Sequence, residues 1–506
     1  APAAPVPATA PPGTDAVAVV GVGVRLAGGI DSLDALGALL HAAGSTLRPP
    51  PPARADDGVP LTLPGGYLDR VDTFDAEFFG IGGAQARAMD PQQRLLLEVA
   101  WHAVEDAGLA AHRLRGTRTG VFVGQGHHDY ASLPLRIGRP DLIRAMHATG
   151  SSMSATAGRI AHHLGLRGPA LTVDTACSAS LVAIDTALRH LADGTCDLAL
   201  AGGVNLALSP ETERALADAG MLSPAGRCAT LSADADGYGR GEGAAVLVLK
   251  PLAAARRDGD RILAVLRGSA VAQDGASSGL TVPDPGAQAD VIRAALAAAG
   301  LGAGDVDAVE LHGTGTPLGD PVEISGLAEV FAGRDRPLLV GSVKTNLGHL
   351  EAAAGVAGVL RAIVALRDQV WPGSPTFTAA NPRLAGTGLD YRFPAGTETV
   401  DPDRPLRRVG VSSFGFTGTI AHLVVEAAPA PGTAAPATDA GPDPAGWVPL
   451  AGADPDAVRL RAGRLAAALE GLAAADRARL LAGWRQRRDH LLPWRAVLDA
   501  TDPATL

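Results

Sequence analysis

The sequence predicts an α/β fold in which helices cover the faces of buried sheets. Apolar runs of strand length alternate with amphipathic runs of helix length along most of the chain. The strand-like runs are apolar at successive positions, as in Ala16–Val22 (AVAVVGV), which is typical of strands covered on both faces. The chain has 506 residues, too many for one ordinary core, so we expect two or three domains.

The predicted elements follow one another in regular alternation. Helices are expected where apolar positions recur at helical spacing, and strands where short apolar runs are bounded by turn residues. In chain order the strands are expected near residues 16–22, 120–124, 171–173, 197–201, 244–249, 262–271, 306–311, 409–413 and 423–426, and the helices near residues 91–107, 151–163, 177–192, 287–299 and 350–366.

Composition excludes several classes of protein. With 47% apolar and 19% charged residues, the chain is globular and not disordered throughout. The net charge is −10 and no Lys/Arg-rich run stands out, so a nucleic acid partner is not expected. No apolar stretch suits a membrane span or a signal peptide, so no membrane partner is expected. Three scattered cysteines fit a reducing cytoplasm, which is the predicted location.

Two Ala/Pro-rich stretches, 1–14 and 428–446, divide the chain. Such segments cannot build a core, and both are interpreted as linkers. A chain that opens with a stiff spacer is interpreted as part of a longer protein. The linkers bound a main body at 15–427 and a short tail at 447–506. In the tail we expect helices at residues 456–472 and 474–488 and a strand at residues 494–498.

The segment VDTACSASLVAIDTALRHL, residues 173–191, gives the strongest indication of chemistry. Its polar turn follows an apolar run and leads into an amphipathic helix, which places Cys177 at or near a helix N-terminus. Free N–H groups and the helix dipole there favour an anion, so we expect a lowered thiol pKa and a nucleophilic thiolate. A buried structural cysteine is the other interpretation, and this segment alone does not decide.

Two histidines lie at comparable junctions. In VELHGTGTPLGDPVEI, residues 309–324, His312 ends a strand and begins a Gly/Thr-rich loop. In GSVKTNLGHLEAAAGVAGVL, residues 341–360, His349 begins a very apolar helix. Taken alone, each histidine is better explained as a loop or core residue. Together with Cys177 they make a nucleophile-and-base set.

These segments resemble the β-ketoacyl synthases, specifically the ketosynthase domain of type I polyketide synthases. The matching segments occur in order from residue 90 to residue 422, nearly the whole body. They are DPQQRLLLE (90–98), VDTACSASL (173–181), DADGYGRGEG (234–243), SSGLTVP (277–283), HGTGTPLGDP (312–321), GSVKTNLGHLEAAAG (341–355) and SSFGFTGTIAH (412–422).

The resemblance implies a thiolase-like fold of five layers, α-β-α-β-α, built from two similar halves, which in the family is usually a homodimer. The half that carries the nucleophile is expected at 15–265, and the half that carries the two histidines at 266–427. The tail, 447–506, resembles the start of the linker region that follows ketosynthases. Its basic run RQRRDHLLPWR is either a docking face or a solvated helix. It contains no acyltransferase motif, so another domain would have to load an extender.

The resemblance also implies decarboxylative Claisen condensation, a C–C bond-forming acyl transfer. Cys177 would accept an acyl chain from an acyl carrier protein, whose phosphopantetheine arm brings it. His312 and His349 would bind the thioester carbonyl of a malonyl-type extender and stabilise its enolate. This role needs neutral Nε2–H donors in a dry pocket. No cofactor or metal is expected on the chain itself.

Three further residues have roles by resemblance. Lys344 matches the family's lysine near the second histidine and is expected to pair with Glu323. The backbone N–H groups of Cys177 and Phe416 would form the oxyanion hole, and the Phe416 side chain would gate the two half-reactions. The expected partners are the carrier protein, a second copy of the chain and other polyketide synthase domains.

Two positions depart from the family's closing motif. Thr417 stands where Gly or Ser is usual, and Ile420 stands where Asn is usual, which removes an amide that can hydrogen-bond near the catalytic loops. Three functions therefore stay open: an elongating synthase, a non-elongating acyl transferase or gate, and a non-catalytic dimeric scaffold for carrier proteins. The elongating synthase is the leading interpretation, and retention of Cys177, His312, His349 and Lys344 argues against the scaffold.

Other polar residues invite weaker interpretations. Paired histidines at 127–128 and 162–163 suggest a metal, but neighbouring histidines point in different directions and no carboxylate or cysteine spacing completes a site. Glu351 and Asp320 could serve as general acids, although the resemblance implies that they are structural supports.

Overall fold

The computed structural model describes residues 16–52, 61–430, 447–487 and 492–499. The predicted linker at 1–14 and residues 431–446 of the second one lie outside the described residues. No described helix combines the length and the apolarity that a bilayer crossing needs.

Strands and helices alternate along the first half of the body, as predicted. The strands are β1 (Val17–Leu26), β2 (Thr119–Gly124), β3 (Ala170–Val173), β4 (Leu198–Asn205) and β5 (Gly243–Pro251). The helices are α1 (Leu33–His41), α2 (Gly83–Ala88), α3 (Pro91–Asp106), α4 (Leu133–Arg136), α5 (Ala145–Ser151), α6 (Ser154–Leu164), α7 (Ala179–Ala192), α8 (Pro210–Asp218) and α9 (Leu252–Arg257). The helix predicted near 151–163 corresponds to α6, which begins at Ser154 because Ser152 has extended dihedral angles and ends the preceding helix α5.

The second half continues in the same manner. Its strands are β6 (Ala264–Gln273), β7 (Ala308–Glu310), β8 (Leu338–Gly341), β9 (Val370–Trp371), β10 (Tyr391–Arg392), β11 (Glu398–Thr399), β12 (Arg408–Phe414) and β13 (Thr419–Ala427). Its helices are α10 (Pro285–Ala299), α11 (Gly319–Phe331), α12 (Lys344–Leu347) and α13 (Ala354–Asp368). Neither α11 nor β8 was predicted from the sequence.

The two halves repeat one strand order. The large sheet runs β10-β8-β7-β12-β13-β6-β1-β5-β4-β2-β3. From its middle outward, β1-β5-β4-β2-β3 on one side corresponds to β6-β13-β12-β7-β8 on the other. The parallel and antiparallel pairs also correspond, and β1 pairs antiparallel with β6 where the halves meet. This confirms two similar halves, while the boundary at residue 265 stays a prediction.

Helices form three layers around the two halves of the sheet. In the middle, α7 and α13 pack on each other, within a hydrophobic core drawn from both halves. The outer face of the first half is covered by α3 and α6, and that of the second by α10 and α11. The order of layers is therefore α-β-α-β-α, as expected. It explains the uniformly apolar strands, because both faces of the sheet are covered.

The tail forms a small unit with its own hydrophobic core. It contains β14 (Trp447–Gly452), α14 (Pro455–Leu469), α15 (Ala474–Arg487) and β15 (Trp494–Asp499). The two strands pair antiparallel, and β14 was not anticipated. Arg461 of α14 forms an ion pair with Glu105 of the body at 2.7 Å. Residues 488–491 of the basic run lie outside the described residues, so the docking face and the solvated helix both stay predictions.

Candidate active site

Cys177 lies in a tight turn between β3 and α7. Ala176 has a φ of +55°, and its N–H donates to the Asp174 carboxylate at 2.9 Å. Ser178 is the N-cap residue of α7, so Cys177 directly precedes a helix N-terminus, as expected. The Ser413 hydroxyl donates to the Cys177 carbonyl at 2.7 Å. A strained turn held from both sides therefore fixes the nucleophile candidate.

The expectation of a lowered thiol pKa is wrong for this structure. Burial raises the pKa of the Cys177 thiol to about 12, and the charge of Glu351 adds to the rise. Lys344 and hydrogen bonds from the backbone of Phe416 and Cys177 lower the pKa but do not offset the desolvation. Cys177 is only 8% exposed, so its thiolate would be desolvated even though the helix end favours an anion. Cys177 rests as a thiol.

His312 follows the end of β7, and Glu323 of α11 holds its loop. The N–H groups of His312 and Gly313 donate to the two carboxylate oxygens of Glu323 at 2.7 and 2.8 Å. The N–H of Phe414 donates to the Nδ1 of His312 at 3.2 Å. Because Nδ1 accepts a hydrogen bond, the neutral ring carries its proton on Nε2.

His349 lies between α12 and α13 and is held on both sides of its backbone. Its N–H donates to the Gly239 carbonyl, and its carbonyl accepts from the Gly241 N–H, both at 2.7 Å. The N–H of Glu351 donates to the Nδ1 of His349 at 3.1 Å. The Nε2 is buried and finds no hydrogen-bond partner among the described residues. It is therefore a free N–H donor for a ligand.

Cys177, His312 and His349 meet at one cavity of about 360 Å³. The centroids of the two imidazole rings are 5.5 Å apart and their planes lie at 82°. Burial, with the charge of Lys344, lowers the pKa of His349 to about 3 and the pKa of His312 well below its ordinary value. Both rings are thus neutral at physiological pH. The cavity presents a thiol and two N–H donors.

The predicted ion pair between Lys344 and Glu323 is not formed. The carboxylate of Glu323 is already bound by the two backbone N–H groups of the His312 loop. Lys344 is buried in α12 and lowers the pKa of Glu310, Asp320 and Glu323 through its charge. Desolvation outweighs it and raises the pKa of Glu323 to about 7 and that of Asp320 to about 6. The charge of Lys344 therefore acts on several buried carboxyl groups, and Lys344 does not form an ion pair with Glu323.

Phe416 lies at the tip of the hairpin that joins β12 to β13, on the rim of the cavity. Its side chain is 41% exposed, a position suited to the predicted gate. Thr417 lies beside it, and its carbonyl accepts from the Gln273 amide at 3.0 Å. Ile420 is fully buried in the hydrophobic core beneath α10 and α11. The Ile420 departure therefore acts through packing in this outer core.

A buried charge cluster beside His349 was not predicted from the sequence. The guanidinium of Arg240 forms two hydrogen bonds with the Glu351 carboxylate, at 2.7 and 3.0 Å. His127 contacts the same carboxylate through its Nε2 at 2.8 Å. His163, of the other histidine pair, packs against aromatic rings on the far side of the sheet. The one available signal was that Arg240 and Glu351 lie in segments that carry the family resemblance.

Comparison with family models identifies this architecture. Residues 14–255 match the beta-ketoacyl synthase N-terminal domain, and residues 263–378 match its C-terminal domain. The chain belongs to the β-ketoacyl synthase family. Solved ketosynthases resemble it along nearly its whole length. The oxazolomycin ketosynthase domain OzmH KS7 of Streptomyces albus is 34% identical, with a TM-score of 0.85 over 96% of this chain and 86% of that one.

Further relatives are a second solved ketosynthase and two polyketide synthases. The ketosynthase from module 6 of the bacillaene synthase of Bacillus subtilis is 31% identical, with a TM-score of 0.84 over 97% of this chain and 83% of that one. A phenolphthiocerol/phthiocerol polyketide synthase from Mycobacterium tuberculosis is 50% identical over 83% of this chain. The erythronolide synthase EryA3 of Saccharopolyspora erythraea is 46% identical over 89% of it. The chain spans only 20% and 14% of these two curated relatives.

Proposed function

We propose that the chain is an elongating ketosynthase domain of a polyketide synthase, which catalyses decarboxylative Claisen condensation. One observation carries the proposal: two neutral histidines present Nε2–H donors to the cavity that contains the Cys177 thiol. Paired donors of this kind stabilise an enolate oxygen. An enzyme that only transferred an acyl group would need the oxyanion-hole N–H groups but would have no use for the two histidine donors.

In the first half-reaction, Cys177 takes an acyl chain from the phosphopantetheine arm of an acyl carrier protein. The Cys177 sulfur attacks the thioester carbonyl, and the bond from that carbon to the arm's sulfur breaks. The thiol proton of Cys177 ends on the departing sulfur. The backbone groups of Cys177 and Phe416, which lower the pKa of the Cys177 thiol, are suited to bind the tetrahedral oxyanion through their N–H groups.

In the second half-reaction, a malonyl-type thioester enters and its carbonyl oxygen accepts from the Nε2–H groups of His312 and His349. The bond to the carboxylate breaks, CO₂ leaves, and the electron pair stays as an enolate. The enolate carbon attacks the acyl carbonyl on Cys177, and the Cys177 thiolate leaves and is then protonated. Water exclusion strengthens both N–H interactions and protects the carbanion.

A second copy of the chain is the proposed partner at the open edge of the sheet. The edge strand β3 pairs only with β2 among the described strands, and its Leu171 is 43% exposed. Unpaired edges and exposed apolar side chains favour association. The segment 133–147 adds exposed apolar side chains at Leu135, Ile137, Leu142, Ile143 and Met146. The carrier protein, other polyketide synthase domains and a cytoplasmic location stay part of this proposal.

The test is intact-protein mass spectrometry. The wild type, Cys177→Ala and His312→Ala are each given acyl carrier thioesters of several chain types, and then a malonyl carrier thioester. We expect acylation at Cys177 that malonyl carrier converts into a β-ketoacyl product. His312→Ala should acylate but not extend. Acylation without extension in the wild type would indicate transfer or gating, and no acylation with any chain type would indicate a scaffold.

A further inference from the structure

The residue that fixes the tautomer of His349 has an unusual backbone. Glu351 has a φ of +44°, in the left-handed region that residues other than glycine adopt only at a cost. Its N–H donates to the Nδ1 of His349 two residues earlier. His312 obtains the same kind of bond from Phe414, which lies in an ordinary strand. The donor to His349 therefore depends on a strained turn.

The side chain of Glu351 is bound from two sides. Arg240 binds both carboxylate oxygens, with N–O distances of 2.7 and 3.0 Å, and His127 binds one at 2.8 Å. The side chains of Arg240 and Glu351 are only 2% and 6% exposed. Because a buried carboxylate bound between a guanidinium and an imidazole has little freedom, these contacts can hold the backbone in the strained turn.

The Arg240 segment also holds the backbone of His349 itself. The residues on either side of Arg240 supply its partners, since Gly239 accepts from the His349 N–H and Gly241 donates to the His349 carbonyl. The same short segment thus fixes the His349 backbone through its own backbone and fixes Glu351 through the Arg240 side chain. The segment 239–241 therefore holds both residue 349 and residue 351 in place.

We propose that Glu351 is a positioning residue: gripped by Arg240 and His127, it maintains the left-handed turn whose N–H keeps His349 as an Nε2–H donor. The inference depends on the proposed function only in naming the reaction in which His349 takes part. It predicts that the tautomer of His349 depends directly on the backbone turn, and on the Glu351 carboxylate only because the carboxylate maintains that turn. Glycine should therefore replace Glu351 better than alanine, because glycine adopts a φ of +44° without strain.

The first test reads the tautomer directly. Protein labelled with ¹⁵N-histidine is examined by NMR at pH 7 as the wild type, Glu351→Ala and Glu351→Gly, with His349→Asn to assign the signal. We expect a neutral Nε2–H ring in the wild type, a mixture of tautomers in Glu351→Ala and a ring closer to the wild type in Glu351→Gly. An unchanged ring in folded Glu351→Ala, or equal effects of Ala and Gly, would overturn the proposal. If Glu351→Ala does not fold, the Gly variant must still retain the Nε2–H ring.

The second test separates the two half-reactions. We expect extension to fall roughly 100-fold in Glu351→Ala and about tenfold in Glu351→Gly, with acylation of Cys177 within about twofold of the wild type. Asp260→Asn is the matched control, because it removes one carboxylate from the Lys250 ion pair, and neither residue lines the cavity. Equal losses of acylation and extension would contradict a positioning role. A wild type that does not extend would count against the proposed function, while the NMR result still decides this inference.

Discussion

At the scale of single residues, burial decides the chemistry more than charge does. Cys177 and His349 are buried and His312 is half-buried, and desolvation favours the neutral form of each at neutral pH. In the proposed reaction neutral histidines suit a donor role, since an imidazolium would bind the extender carboxylate that must leave. The neutral thiol has a different consequence, because it must lose its proton during attack and not before.

The resting state of the Cys177 thiol can be measured by alkylation. Because its pKa is raised to about 12, the thiolate fraction should rise about tenfold for each pH unit between pH 7 and pH 10. The rate of iodoacetamide modification at Cys177, followed by mass spectrometry, should rise in parallel without a plateau. Cys177→Ala corrects for Cys196 and Cys228, which are also buried. A plateau near pH 7 or 8 would show a lowered pKa instead.

At the scale of elements, the site is made by loops brought against one another. The hairpin between β12 and β13 lies against the Cys177 turn, close enough that a Cβ on Gly415 would be 2.4 Å from the Thr175 carbonyl oxygen. Only glycine permits this approach. The contact positions Phe416, whose backbone lowers the pKa of the Cys177 thiol.

Gly415→Ala should therefore damage acylation. The added methyl group would displace the hairpin, move the Phe416 N–H away from the oxyanion and slow acyl transfer roughly 100-fold. A loss of about 1–3 kcal/mol in the free energy of unfolding should accompany it. Acyl transfer to Cys177 and denaturant unfolding measure the two effects. Gly158→Ala is the control, because a Cβ there meets nothing within 4 Å. Acylation at the control rate would exclude a role for this contact.

At the scale of the whole molecule, the repeated strand order sets the site between two halves. The first half supplies Cys177 after its third strand, and the second supplies His349 after the corresponding strand β8. The helices that follow, α7 and α13, pack together in the middle layer. This arrangement brings Cys177 and His349 from distant parts of the chain to one cavity. The same order leaves β3 at an open edge.

The open edge predicts how copies of the chain associate. We expect a dimer at micromolar concentration in analytical ultracentrifugation, and we expect Leu171→Asp on β3 to give a monomer, because a charge on the covered edge would be desolvated without a partner. Leu280→Asp is the control, as Leu280 is 74% exposed in a loop. A dimer that Leu171→Asp leaves intact would place the interface elsewhere.

Local sequence patterns were sufficient for the fold class, the order of most elements and the three residues that meet at the cavity. Apolar runs define the strands, turn residues define their ends, and the segments around Cys177, His312 and His349 are long enough to identify a family. Elements without a strong local pattern, such as β8 and β14, did not emerge. A four-residue strand or a short polar-flanked one has too few positions to show a period.

The surroundings of these residues, in contrast, depend on tertiary structure. The partner of Glu323 is a backbone N–H pair and not Lys344, and the thiol pKa of Cys177 is raised and not lowered. The hydrogen bond from Arg240 to Glu351 joins residues 111 positions apart in the sequence. Hydrogen-bond partners and desolvation depend on atoms that the chain brings together from distant segments. No local pattern in the sequence encodes them, whereas the periodicity of a strand or helix is local by nature.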